Sequence, residues 1–182
     1  MARIAYADID RPEVKPLVDR IIEERGSVLH LYQMLLHSPE LAQGWLTFLT
    51  AIRQRCSLSA DLRELVIMRV AAVNGASYEA DQHAPIALAA GISHAQLGDL
   101  GSWRESRLFT PQQRAILHLT DEMTKNVQVA PDVIADVRSF LGERQTVELV
   151  ATIAAYNMVS RFLEALSIHS DDAPGADHTS AA

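Results

Sequence analysis

Apolar positions recur along this chain at helical rather than strand spacing. They predict an all-α protein of about eight helices around a central buried helix pair. Residues 12–24 carry Val14, Leu17, Val18, Ile21 and Ile22 on one stripe, which Gly26 ends. A helix over residues 27–37 follows. Ser38-Pro39 then supplies a cap and a first-turn proline for a helix over 39–54 that spaces Leu41, Trp45, Leu46, Phe48, Leu49 and Ile52. From a Ser59 cap to Asn74 the pattern is apolar almost all round, the mark of a buried helix. After the break Asn74-Gly75-Ala76-Ser77 a second helix is expected, capped by Ser77 and kinked just past His83 by Pro85. Gly91-Ile92-Ser93 stops it, and Ser93 starts a short helix to Leu100. Beyond a loop over 101–110, helices are expected at 111–126, 131–141 and 145–167, the last again apolar nearly all round. Residues 1–12 read as an extended arm. Residues 170–182, small and polar, read as a disordered tail behind a single domain over 1–169.

The central pair carries three ionisable residues where apolar ones are expected: Glu64, Glu79 and His83. Glu64 sits near a helix start, where the dipole favours a carboxylate, and a solvated first-turn acid would account for it. Glu79 and His83 are four apart on one helical face, within reach for the carboxylate to orient the imidazole and raise its pKa, as general acid/base catalysis requires. The same spacing also occurs on ordinary solvated helices.

This segment resembles the core motif of the carboxymuconolactone decarboxylase and alkylhydroperoxidase-D-like (AhpD-like) superfamily, whose peroxidase branch carries a Glu, then Cys-x-x-Cys, then a His. Measured from Glu64, the cysteine positions fall on Ala76 and Glu79 and the His on His83. The stretch therefore looks like the cysteine-free branch. Arg63-Glu64-Leu65-Val66-Ile67, Ala89-Ala90-Gly91-Ile92-Ser93 and the run from Tyr156-Asn157 to Arg161 also match, so the resemblance covers roughly residues 25 to 168. It implies a homo-oligomer (dimer, trimer or hexamer) and a cofactor-independent lyase acting on a small carboxylated unsaturated acid or lactone from aromatic catabolism. In that reading His83, Glu64 and Glu79 are catalytic, and which carboxylate orients His83 stays open. An isomerase of a ring-cleavage dienoate, or a ligand-binding homo-oligomer without turnover, would use the same parts. A thiol peroxidase would need both missing cysteines.

Five further residues are candidates for binding substrate. Tyr78 lies in the motif, and Tyr32 is on a helix that borders the pocket in similar proteins. Trp103 and Arg104 on the 101–110 loop offer an aromatic and a guanidinium to a carboxylated ring. Asn157 is a polar residue on an apolar helix. His30 and His37 read as satisfied core or surface groups. A Glu-Leu-Val tripeptide at 64–66 and 148–150 hints at a duplicated helix pair.

The chain has 182 residues, enough for a substantial core, with 48% hydrophobic but only 5% aromatic side chains. A net charge of -7 without a Lys/Arg cluster argues against nucleic acid as a partner. The sequence shows no signal-peptide pattern and no run near the roughly 20 apolar residues of a membrane span, which leads to an expectation of a cytoplasmic protein without a membrane partner. Cys56 is the single cysteine, too few for an internal disulfide, and no spacing matches a metal signature.

Overall fold

The computed structural model describes residues 1–172, which contain eight α-helices and no strand. They fall into two compact units, Met1–Gln54 with residues 163–172, and Arg55–Phe162. The last ten residues of the expected tail lie outside the described residues.

In the first unit, α1 (Lys15–Arg25) and α2 (His30–Leu35) pack on α3 (Pro39–Thr50). Leu17 and Val18 open the apolar stripe of α1, and Gly26 closes the helix with φ 82°, where only glycine sits without strain. The core gathers Val18, Ile21, Leu35, Leu36 and Leu46. The amino-terminal arm is fastened to the carboxy-terminal segment of the same unit: the Arg3 backbone N–H donates to Leu166 (2.8 Å) and the Tyr6 hydroxyl to Asp172 (2.7 Å). His30 and His37 are satisfied by the carbonyls of His169 and Ala5, as expected of structural histidines. A π-turn, Ala51–Arg55, follows α3.

In the second unit, α4 (Ala60–Asn74) is the central helix, packed by α5 (Ser77–Ala89) and α7 (Pro111–Lys125). Its sequence is apolar on all sides, and nine residues from Leu62 to Ala71 are buried accordingly. Gly75 ends it with φ 68°, and the next N–H, of Ala76, reaches back to the Ala71 carbonyl at 2.9 Å. The tight reversal brings α5 back along α4. One local expectation is corrected here. Ser77 is the first residue of α5 and not its cap, a place taken by Ala76, because the Gly75 turn already positions the chain. The helix also continues through Pro85 to Ala89. The short α6 (His94–Asp99) and α7 both open with full capping boxes, Ser93 with Gln96 and Thr110 with Gln113.

The two helices expected over 131–141 and 145–167 follow one another within α8 (Pro131–Leu166), separated by a kink at Gly142 with φ 71°, ψ -179°. That backbone region is essentially restricted to glycine, while a Cβ there would meet nothing within 4 Å. Gly142→Ala is therefore expected to destabilise by about 1–3 kcal/mol through backbone strain alone. Gly44→Ala, in the interior of α3, should be neutral or stabilising. Urea unfolding of the two variants checks this, and equal midpoints would refute the strain. Among the described residues α8 also holds the one window apolar enough to cross a membrane by composition, and half of that window is buried within the protein.

Candidate active site

The polar residues of the central pair face one another. Glu64 stands on α4, completely buried, and its Oε2 lies 2.7 Å from Nδ1 of His83 on α5. His83 is 7% exposed. A solvated first-turn acid is thus excluded. The second oxygen of Glu64 accepts from the Arg63 guanidinium at 3.2 Å, so both oxygens are engaged and the carboxylate is fixed in orientation. Tyr156 of α8 meets the His83 ring edge-on, with centroids 5.1 Å apart and planes at 87°, so that the imidazole is held by packing as well as by its hydrogen bond. The turn at Gly75 creates this geometry by setting α5 against α4. The pair is separated by nineteen residues in sequence but by one hydrogen bond in space.

Glu79, one turn before His83 on α5, is 2% exposed, and its Oε2 is hydrogen-bonded to the hydroxyl of Ser160 on α8. The Ser160 oxygen also lies 2.9 Å from the Tyr156 carbonyl of its own helix. Tyr78 is buried beside Glu79. Among the described residues no group of three or more His, Cys, Asp and Glu is placed to hold a metal ion.

The carboxymuconolactone decarboxylase family model matches residues 39–122, a stretch that contains α4, the Gly75 turn and α5 with this glutamate–histidine pair. Over that stretch the chain is similar to the carboxymuconolactone decarboxylase family. The chain is 28% identical over 110 residues to the uncharacterized protein YdfG of Bacillus subtilis, covering 59% of this chain and 75% of that one. Two of the solved structures that share its fold serve as examples. One is the alkylhydroperoxidase AhpD core of an uncharacterized peroxidase-related protein from Ralstonia eutropha, at TM-score 0.80 and 15% identity over 94% of this chain and 93% of that one. The other is the debrominase Bmp8 in complex with 2,3,4-tribromopyrrole, at TM-score 0.78 and 16% identity over 96% of this chain and 94% of that one. Where the superfamily's peroxidase branch carries cysteines, this chain has Ala76, the buried cap of α5, and Glu79. Cys56 lies before α4, and burial, followed by the charge of Glu148, pushes its thiol pKa up, away from the thiolate form.

The other residues singled out in sequence have partners of their own. Trp103 packs in an apolar cluster with Leu65, Ala87 and Leu117, against which Ala80 and Ala84 of α5 lie, next to the stripe that carries Glu79 and His83. Its indole N–H donates to Asp121 at 3.2 Å. Arg104 covers the Trp103 ring at 4.4 Å, and both border an open groove of about 670 Å³ with His118 and Phe140, which Glu64, Glu79 and His83 do not line. Asn157 binds Asn74, Thr124 and Arg161 at 3.1, 3.0 and 2.7 Å, bracketing α4, α7 and α8, and lines a separate groove of about 310 Å³. Arg161 thus pairs with Asn157. Tyr32 belongs to the first unit, is buried, and lies under the Arg25 guanidinium at 5.9 Å. Sequence reasoning missed Ser160 and Tyr156 as neighbours of the motif. Their only signal was their place on α8 one turn apart, within the run from Tyr156 that resembles the superfamily.

Proposed function

We propose that this protein is a cofactor-independent acid/base enzyme of the carboxymuconolactone decarboxylase type, acting on a small carboxylated unsaturated acid or lactone. The observation that carries the reading is the buried Glu64–His83 hydrogen bond of 2.7 Å on an otherwise apolar helix pair. With Nδ1 held by Glu64, proton exchange with a substrate runs through Nε2, and the carboxylate stabilises the imidazolium that results. In a decarboxylation the bond to the carboxylate carbon breaks and CO2 leaves. The electron pair moves into the unsaturated system, and His83 Nε2–H delivers the proton to carbon, to be reprotonated afterwards from solvent. A double-bond isomerisation would use the same proton in two transfers without loss of carbon.

Glu64 and His83 are assigned the chemistry, and Glu79 and Tyr78 the surrounding wall. Arg104, Trp103, Tyr32 and Asn157, expected from sequence as substrate contacts, are given no role in this reading. The reading includes a cytoplasmic homo-oligomer. Its support is the exposed apolar side chains Leu41 and Phe48, two turns apart on α3, and light scattering at the mass of a single chain would refute it.

The test is a panel of carboxymuconolactones and unsaturated dicarboxylates, followed by ultraviolet absorbance and CO2 release, with an alkyl hydroperoxide and a dithiol reductant as a further arm. CO2 release is the expected result. An absorbance change without CO2 identifies the isomerase instead. Peroxide consumption that disappears in Cys56→Ser would overturn the acid/base reading, since the expectation is none in either protein.

A further inference from the structure

The Ser160 hydroxyl has a single proton and stands within hydrogen-bonding distance of two oxygens, Glu79 Oε2 and the Tyr156 carbonyl. If Glu79 were ionised, that proton could serve only one of them, and the other contact would set lone pair against lone pair. If Glu79 carries a proton, both contacts become bonds: the carboxyl O–H donates to Ser160 Oγ, whose own O–H donates to the Tyr156 carbonyl. Burial acts in the same direction, because Glu79 is 2% and Ser160 0% exposed, and a desolvated carboxyl favours its neutral form.

From this geometry we propose that Glu79 is held as a neutral carboxylic acid, a second proton store one helical turn from His83, with Ser160 as the residue that positions it. The site then separates its carboxyls by role, Glu64 ionised to support the imidazole and Glu79 protonated, in place of two equivalent acids. Its use in turnover rests on the function proposed above; the protonation state does not.

Infrared difference spectroscopy on the purified full chain at neutral pH tests it without substrate. Parent minus Glu79→Gln is expected to show the C=O stretch of a protonated carboxylic acid, and Ser160→Ala should move that band to higher frequency as the hydrogen bond is lost. Ser160→Thr, which keeps the hydroxyl, should restore its position. A difference spectrum with only ionised-carboxylate bands overturns the proposal, and a band that ignores Ser160→Ala overturns the role of Ser160. Should Glu79→Gln fail to fold, parent protein grown on isotope-labelled glutamate must still show an isotope-shifted acid band at neutral pH. Its absence is equally fatal. If the band is present while His83→Gln turns over normally, the protonation assignment stands and the functional reading falls.

Discussion

His83→Gln is expected to lower turnover by about 10²–10⁴-fold on whichever member of the panel the protein accepts, the usual contribution of a positioned acid/base group. Glutamine keeps a polar side chain of similar reach, so Tyr156 retains a packing partner and the loss reports proton transfer rather than collapse of the α4–α5 contact. Glu64→Gln separates orientation from charge. The amide can still accept from Nδ1–H at the present 2.7 Å geometry, but it no longer stabilises an imidazolium. Most of the same loss in kcat, with substrate binding largely intact, is therefore anticipated. Equal kcat in parent and His83→Gln would remove the histidine from the mechanism.

The largest stability effect is expected at Asp121. Its carboxylate is 1% exposed and accepts from Arg69 at 2.6 Å and from the Trp103 indole at 3.2 Å, with Lys125 at 3.3 Å and Arg104 at 3.5 Å beside it. Arg69 is itself buried, with one further bond to the Leu100 carbonyl. Asp121→Ala leaves that guanidinium buried without its counter-charge, a situation that costs about 3–5 kcal/mol. In a protein of this size the unfolding midpoint should fall by roughly 10 °C. Asp121→Asn, which keeps an acceptor for Trp103, should cost less. Burial alone would push the Asp121 carboxyl up, but the Arg69 hydrogen bond and charge, with Trp103 and Lys125, hold it below the usual aspartate range. A folded-state value below the unfolded one means that this stabilisation is complete above the ordinary aspartate range and is lost as pH falls through the depressed value. The stability gap between parent and Asp121→Asn should accordingly narrow in acid. A gap that stays constant with pH would show that the charge of Asp121 contributes little.

Asp121 also shows what local reading overlooks. In sequence it is one more polar residue on an amphipathic helix, and nothing within α7 foretells the arginine fifty-two positions earlier that it anchors. Trp103 and Arg104 have the opposite history. Their adjacency suggested recognition of a carboxylated ring, and the fold uses the indole N–H to hold Asp121 and the guanidinium to cover the indole. A short polar motif on a loop has the same composition in either role. The partners seen here come from another helix, which the composition of the loop does not encode.

What the sequence determined by itself is what depends on neighbours a few positions away. The helical spacing of apolar residues, the prolines and glycines at helix ends and the capping boxes are local energies, and they suffice for an all-α chain with a buried α4. The superfamily spacing likewise brought Glu64, Glu79 and His83 into view together. Which carboxylate holds the imidazole was decided only by the tertiary structure. Glu79 and His83 share a helical face whatever the rest of the chain does, but the bond from Glu64 to Nδ1 exists because the Gly75 turn lays α5 against α4, and the Ser160 contact because α8 packs over both Glu79 and His83. Hydrogen bonds across helices depend on distances that helical periodicity does not encode.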